Sequence, residues 1–128
     1  MVMQRNVELV RDFFRYMSSG RIDDAIILIA ENVVWWSPLG ILTKQALLEG
    51  VRQLYASRTT STVMNIRTIT AQDNRVAAEV DGQFELRDGR SYDNTYHFLF
   101  VIENSRFVSV REHFDTARMK VFLGDEPL

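Results

Sequence analysis

The hydrophobic period of the chain changes once, near Val63, and this change limits the folds that are open to it. Before that point, apolar side chains recur every three or four residues, which is the spacing of amphipathic helices. After it, apolar and polar residues alternate, as in strands that are covered on one face. Helices followed by consecutive strands predict an α+β fold. A chain of 128 residues has the usual length of one domain, and we expect a single domain over residues 1–128.

Three helices are predicted in the first half of the chain, at residues 3–18, 23–30 and 44–56. The first ends before Gly20, because glycine adopts the left-handed conformation after a helix at little cost. Thr43 is placed to cap the third. A short β-branched and aromatic strand, 33–36, lies between the second and third helices, and Pro38 and Gly40 end it in a loop.

The second half of the chain predicts four strands, at residues 63–71, 75–87, 91–103 and 106–115. Short turn sequences separate them, namely Asp73-Asn74, Asp88-Gly89 and Asn104-Ser105. Connections this short join antiparallel neighbours, so the strands form a meander. We expect one helical turn and a polar end over residues 116–128.

The strand at 91–103 is apolar on both faces. Leu99 and Val101 share one face, and the other carries Tyr92, Tyr96, Phe98, Phe100 and Ile102. The helices cover only one face of a sheet, so a second copy of the chain is the simplest cover for the other. We predict a homodimer, which Phe98→Glu or Phe100→Glu weakens if these residues lie at the interface. The alternative is that scattered apolar side chains stay exposed.

Composition excludes several classes of protein. A net charge of −2 leaves no basic excess for nucleic acid, and without cysteine there is no disulfide or thiolate chemistry. The longest aliphatic run is too short to cross a membrane, and the charged N-terminal segment is unlike a signal peptide, so we expect a cytoplasmic protein. The sequence has neither a metal-ligand motif nor a phosphate-binding glycine loop, and we expect no metal or cofactor.

Glu112 is the first candidate for chemistry. If Val108, Val110 and Phe114 face the helices, alternation places Glu112 among them. Burial would raise the pKa of its carboxyl and make it a proton shuttle near neutral pH. The alternative is a structural acceptor for a backbone amide or a tyrosine.

Asp81 and Glu79 share one face of the predicted strand 75–87, because they are two residues apart. Two carboxylates in one pocket raise the pKa of one of them, which suits acid–base chemistry. The alternative is a solvated strand face beside Arg75 and Arg67. A β-bulge at Gly82 would reverse the two faces further along the strand.

Several segments carry a family resemblance, namely residues 20–25, 31–35, 38–40, 89–92, 96–98 and 111–116. Their order resembles the SnoaL-like and ketosteroid-isomerase-like members of the nuclear transport factor two-like superfamily, over about residues 4–118. The resemblance implies a cone, in which a curved antiparallel sheet wraps around three N-terminal helices with a pocket inside.

The ketosteroid isomerase pattern implies particular positions for the catalytic groups. Its general-base aspartate matches Ser37, which cannot act as that base. Its oxyanion tyrosine matches Phe13, with Tyr16 one turn further on, and its protonated aspartate falls near His97. Ordinary steroid isomerisation is therefore not expected.

The limonene-epoxide-hydrolase pattern implies a different set. Its two acids match Asp81 and Glu112, whereas its arginine matches Glu79. The tyrosine and asparagine that hold the water match Trp35 and Ser37. SnoaL-like cyclases have an acidic residue near the last strand and a histidine on the strand before it. The resemblance matches these positions to Glu112 and His97.

Two hypotheses follow. In the first, a dimeric SnoaL-like protein binds and converts a small cyclic hydrophobic compound, similar to a polyketide, terpene or steroid, by cofactor-free acid–base chemistry. Glu112 is then the acid or base, Asp81 or His97 its partner, and Ser37 an orienting donor. The predicted pocket residues are Phe13, Tyr16, Trp35, Ser37, Leu39, Tyr55 and Glu79. In the second, the chain is a non-catalytic ligand-binding or protein-interaction module. Asp81 and Glu112 on opposite faces of the sheet would contradict the enzyme hypothesis.

Overall fold

The computed structural model describes residues 2–119 and places three helices against one curved, six-stranded sheet. The helices are α1 (Val2–Ser18), α2 (Ile22–Ile27) and α3 (Lys44–Gln53), and a π-helical turn, Leu54–Arg58, continues α3. The strands are β1 (Ile29–Ser37), β2 (Gly40–Leu42), β3 (Thr59–Gln72), β4 (Arg75–Leu86), β5 (Ser91–Glu103) and β6 (Arg106–Phe114). A 3-10 turn, Thr116–Met119, follows β6, and the rest of the predicted tail lies outside the described residues. The predicted α+β class is confirmed.

Strand order across the sheet is β2-β1-β6-β5-β4-β3. The predicted meander from β3 to β6 is confirmed, and its turns place Asp73, Gly89, Asn104 and Ser105 at positive φ. The sheet is mixed rather than antiparallel throughout, because β1 runs parallel to β6. The two strands are joined by most of the chain rather than by a short turn, so no local signal determines their relative direction.

The first strand begins earlier than predicted, and α2 is correspondingly shorter. Ile29 is fully buried and is in register with Phe107 of β6, whose N–H donates to the carbonyl oxygen of Leu28 over 2.8 Å. Because of this long-range pairing, the last residues of the predicted helix 23–30 belong to β1 instead. The predicted loop at Pro38 is a tight turn into β2, whose Ile41 pairs with Trp36.

Aromatic rings fill the space between α1 and the concave face of the sheet. The Phe14 ring centroid lies 5.0 Å from that of Phe98, and the Phe13 centroid lies 5.4 Å from that of Phe107, both edge to face. Phe100 is fully buried beside them. Phe98 and Phe100 therefore belong to the core, and their suggested place at a dimer interface is wrong.

None of the described helices has an apolar stretch long enough to cross a bilayer.

Gly82 does not form the bulge suggested from the sequence. The two register shifts of the β3–β4 pair lie on β3, between Thr59 and Ser61 and between Ile66 and Thr68. Every second residue of β4 still faces inward as far as Phe84 and beyond. A Cβ atom at Gly82 would lie only 2.8 Å from Cε1 of Tyr96. Glycine is required here because the Tyr96 ring occupies the space of a side chain.

Candidate functional site

A cavity of about 150 Å³ lies between the concave face of the sheet and the helices. Its walls are mainly apolar and include Phe14, Trp35, Met64 and Phe98, with the carboxyl of Glu112 among them. A shallower groove of about 380 Å³, which we call the mouth groove, shares six lining residues with the cavity. These shared residues are Leu47, Val51, Leu54, Phe84, Tyr96 and Glu112. Glu112 therefore stands where the two spaces meet.

Helix α3 lines the cavity rather than filling the core. The predicted cap is confirmed, since the Ala46 N–H donates to Oγ1 of Thr43 over 3.1 Å. Apolar residues recur along α3 at helical spacing, yet no residue of this helix is fully buried. Leu47 and Val51 instead border the cavity and the mouth groove, so these apolar positions are available to contact a ligand.

The predicted inward orientation of Glu112 is confirmed. It lies on the same face of β6 as the buried Val110 and is in register with Phe98 of β5. The Trp35 indole Nε1–H donates to its Oε1 over 2.9 Å. Burial raises the pKa of the carboxyl to about 7, against the opposing effect of the Trp35 hydrogen bond. Near neutral pH the group can therefore either donate or accept a proton.

Tyrosine hydroxyls form a second polar feature at the edge of the cavity. Tyr96 donates to the Tyr92 hydroxyl over 3.3 Å, and Tyr92 contacts Sδ of Met119 at 3.0 Å. Asn94 donates to the Tyr92 hydroxyl as well as to the carbonyl oxygen of Asp115. Burial raises the pKa of both tyrosines, so they are neutral near pH 7.

Two predicted polar contacts are already engaged within the protein. The Tyr55 hydroxyl lines the cavity but donates to the carbonyl oxygen of Met17 over 2.7 Å, and burial raises its pKa to about 12. Ser37 lines the mouth groove, where its Oγ accepts from the Leu39 N–H and donates to the carbonyl oxygen of Gly40. These bonds hold the turn between β1 and β2, so the hydroxyl that was predicted to orient a ligand already has partners within the protein.

Asp81 and His97 lie on the outer, convex face of the sheet. Asp81 forms an ion pair with Arg67 at 3.5 Å, and His97 is in register with Glu79 of β4. Glu112 faces the opposite side of the sheet. Alternation along β4 and β5 separates them, since the inward positions of these strands are the even-numbered residues.

This separation has a direct consequence for mechanism. An Asp81–Glu112 pair does not form, nor does a His97–Glu112 pair, and the enzyme hypothesis that depended on such a pair is wrong. For Asp81 and Glu79, the structure matches the alternative of a solvated face beside Arg67. Within residues 2–119 there is no cluster of three or more histidine or carboxylate side chains that could hold a metal ion.

The predicted pocket residues fall into three groups. Phe13, Trp35 and Tyr55 line the cavity, and Ser37 and Leu39 line the mouth groove. Two are misplaced: Glu79 is on the outer face, and Tyr16 lies outside both spaces with the Arg21 guanidinium 4.8 Å from its ring centroid.

Sequence reasoning missed Tyr96, which borders both the cavity and the mouth groove. A signal was present. Tyr96 has the same parity as Phe98 and lies on the strand next to Glu112, so it had to share their face.

Solved structures place this fold in the nuclear transport factor two-like class. A nuclear transport factor two-like protein of unknown function from Burkholderia pseudomallei is 19% identical, with a TM-score of 0.80 over 94% of this chain and 98% of its own. A candidate polyketide cyclase from Xanthomonas campestris is also 19% identical, with a TM-score of 0.80 over 91% of this chain and 95% of its own. An epoxide hydrolase from M. tuberculosis, similar to limonene epoxide hydrolase, is 13% identical, with a TM-score of 0.79 over 91% and 87%. At these identities the likeness shows the fold alone.

The sequence profile of the SnoaL-like domain matches residues 10–110, and the chain belongs to that family. The resemblance seen in the sequence is thereby confirmed. No curated protein matches the chain.

Proposed function

We propose that this protein binds a small, uncharged, cyclic organic compound in the cavity beside Glu112. The observation that carries the proposal is one carboxyl, with a pKa raised to about 7, in a cavity whose other walls are mainly apolar. A cavity of about 150 Å³ accommodates a ring of roughly benzene size. Substituents or further rings would extend into the mouth groove, as in polyketide-, terpene- or steroid-like compounds.

A second candidate function is isomerisation or cyclisation by proton transfer at Glu112 alone. The same raised pKa favours it, because a group that titrates near the working pH transfers protons efficiently in both directions. One carboxyl serves first as base and then as acid, so Asp81 is not needed. The names of the epoxide hydrolase and the candidate polyketide cyclase agree with small-molecule chemistry on this fold.

A thermal-shift screen of cyclic compounds tests the binding proposal. A ligand present at about one hundred times its Kd stabilises the folded state by roughly 2.7 kcal/mol, which raises the Tm by several degrees. Val51 lines the cavity, and Val51→Phe places a larger side chain in it, so this variant is expected to abolish the Tm increase. Val63→Phe, the same change on the outer face, should retain it. If no cyclic compound raises the Tm, or if Val51→Phe responds like the wild type, the proposal fails.

We also propose that the outer face of the sheet pairs with a second copy of the chain. Val34 is 52% exposed there, and Trp36 lies beside it on β1. The Arg111 guanidinium lies 4.4 Å from the Trp36 ring centroid, and the His113 ring centroid lies at 4.8 Å. Leu99 continues this apolar strip on β5.

Charge on the same face supports a second copy as the partner. Arg67, Arg75 and Arg111 are interspersed with Glu79 and Asp81 on the outward positions of the strands. A face with both signs can match itself about a two-fold axis, as an isologous dimer requires.

Val34→Glu is expected to weaken the dimer, because it places a carboxylate within the apolar strip. Sedimentation velocity over a micromolar concentration range would show a shift towards monomer. Ile27→Glu is the control, since Ile27 is 58% exposed on α2, away from the sheet face. A wild-type protein that is monomeric at every concentration would contradict the proposal.

A further inference from the structure

We propose that the Trp35 indole fixes the Glu112 proton on Oε2, so that the cavity selects rings carrying a hydrogen-bond acceptor such as a ketone oxygen. The inference rests on the proposed function and names the ligand chemistry of the same site.

The hydrogen bond between Trp35 and Glu112 determines which carboxyl oxygen carries the proton. An indole N–H only donates, so Oε1, at 2.9 Å from Nε1, is an acceptor. In a neutral carboxyl group the carbonyl oxygen is the better acceptor, and the proton therefore resides on the other oxygen. Trp35 is a positioning residue in this arrangement, since it acts on the ligand through Glu112.

Oε2 is available to a ligand. None of the described side chains donates a hydrogen bond to it, and none of their fully enclosed polar atoms lacks a partner. Oε2 therefore borders open space, and Glu112 lines both the cavity and the mouth groove. A hydroxyl at this position donates to an acceptor on a bound ring.

The other titratable groups that line the cavity and the mouth groove do not titrate in the same range. Tyr92 and Tyr96 on β5, and Tyr55 after α3, have pKa values raised above their ordinary value by burial. Arg111 and His113, the neighbours of Glu112 on β6, face the outer side. The remaining elements present uncharged side chains to the cavity, namely Phe13, Phe14, Trp35, Met64 and Phe84. Among the described residues that line the cavity and the mouth groove, Glu112 is thus the group whose charge changes between about pH 5 and pH 9.

The protonation state of Glu112 consequently controls the choice of ligand. The neutral acid donates a hydrogen bond to a carbonyl oxygen, whereas the carboxylate has no proton to donate and repels the lone pairs of the carbonyl. Affinity for a ketone should fall as the pH rises through the pKa of Glu112. Affinity for a hydrocarbon of the same shape should not change.

Cyclohexanone and methylenecyclohexane provide a matched pair of probes, since they differ only in an oxygen replaced by a methylene group. We expect both to perturb cavity resonances in NMR titrations of the wild-type protein. Cyclohexanone should bind roughly tenfold more weakly at about pH 8.5 than at about pH 5.5, while methylenecyclohexane is unchanged. Equal pH behaviour of the two probes overturns the inference and leaves the proposed function standing. Failure of both probes to bind overturns the proposed function, and the inference with it.

Trp35→Phe tests the positioning role, with Trp36→Phe on the outer face as the matched control. Removing the indole N–H takes away a contact that lowers the pKa of Glu112. The pKa of Glu112, measured by NMR at its carboxyl carbon, should rise. The pH midpoint at which ketone affinity is lost should rise with it. Trp36→Phe should leave both midpoints in place. An unmoved midpoint in Trp35→Phe overturns the inference.

Glu112→Gln provides a second test that does not depend on the folding of Trp35→Phe. The amide oxygen would accept from Trp35, which turns the amide N–H group towards the ligand at every pH. We expect the preference for cyclohexanone over methylenecyclohexane to persist at about pH 8.5, where the wild type has lost it. A glutamine variant without that preference overturns the inference.

Discussion

Replacing Glu112 by glutamine is expected to make the protein more stable than the wild type at about pH 8.5, by roughly 3 kcal/mol. The pKa of the carboxyl is raised from 4.5 to about 7 in the folded state. A raised folded pKa adds stability that is fully present below the unfolded value and is lost as the pH rises through the folded value. Glutamine has no proton to lose and still accepts from Trp35, so it avoids this loss. At about pH 4 the variant and the wild type should have similar stability.

Urea unfolding at the two pH values measures this difference directly. Glu79→Gln is the matched control, because Glu79 lies exposed on the outer face and removing its charge relieves no burial. A Glu112→Gln variant that fails to fold would identify the residue as a structural anchor. A variant with the same pH dependence as the wild type would show that the carboxyl is not buried as described.

Phe100→Ala should destabilise the protein by about 3–5 kcal/mol, the largest loss that we expect from a single truncation. Phe100 is fully buried, and its ring stacks on Phe98 at a centroid distance of 5.6 Å. Its ring also lies 4.6 Å from that of Phe107 and 5.9 Å from that of Phe14. Removing the ring leaves a cavity among side chains from three elements, which cannot collapse to fill it.

Leu99→Ala is the control for this truncation, since Leu99 is adjacent in sequence but half-buried on the outer face. We expect it to cost about 1 kcal/mol or less. Both variants are compared by urea unfolding at a concentration where they have the same oligomeric state. A larger loss for Leu99→Ala than for Phe100→Ala would mean that the two faces of β5 are assigned the wrong way round.

Local patterns predicted the meander well. The turns at Asp73, Gly89 and Asn104 have residues that adopt positive φ, and each joins neighbouring strands as expected. The two-residue alternation of β6 from Val110 onward was sufficient to place Glu112 on the inner face, although a register shift interrupts the alternation between Phe107 and Val110. Each of these features depends on residues that are close in sequence, where steric preferences act directly.

Long-range pairing was not accessible in the same way. Ile29 belongs to β1 only because Phe107, at the far end of the chain, offers it a strand to pair with. Nothing near Ile29 indicates that partner, or that it would lie parallel. For the same reason the helical spacing of apolar residues in α3 does not show that Leu47 and Val51 border a cavity rather than the core.

The sequence by itself determined the fold class, the order of the elements, the turns, and the inward orientation of Glu112, because periodicity and turn chemistry are local properties. Only the tertiary structure decided which carboxyl groups share a space. Asp81 and Glu112 lie on different strands, and whether two alternating patterns point the same way depends on the register between those strands. In this protein the register places Asp81 beside Arg67 in solvent and Glu112 beside Trp35 in an apolar cavity.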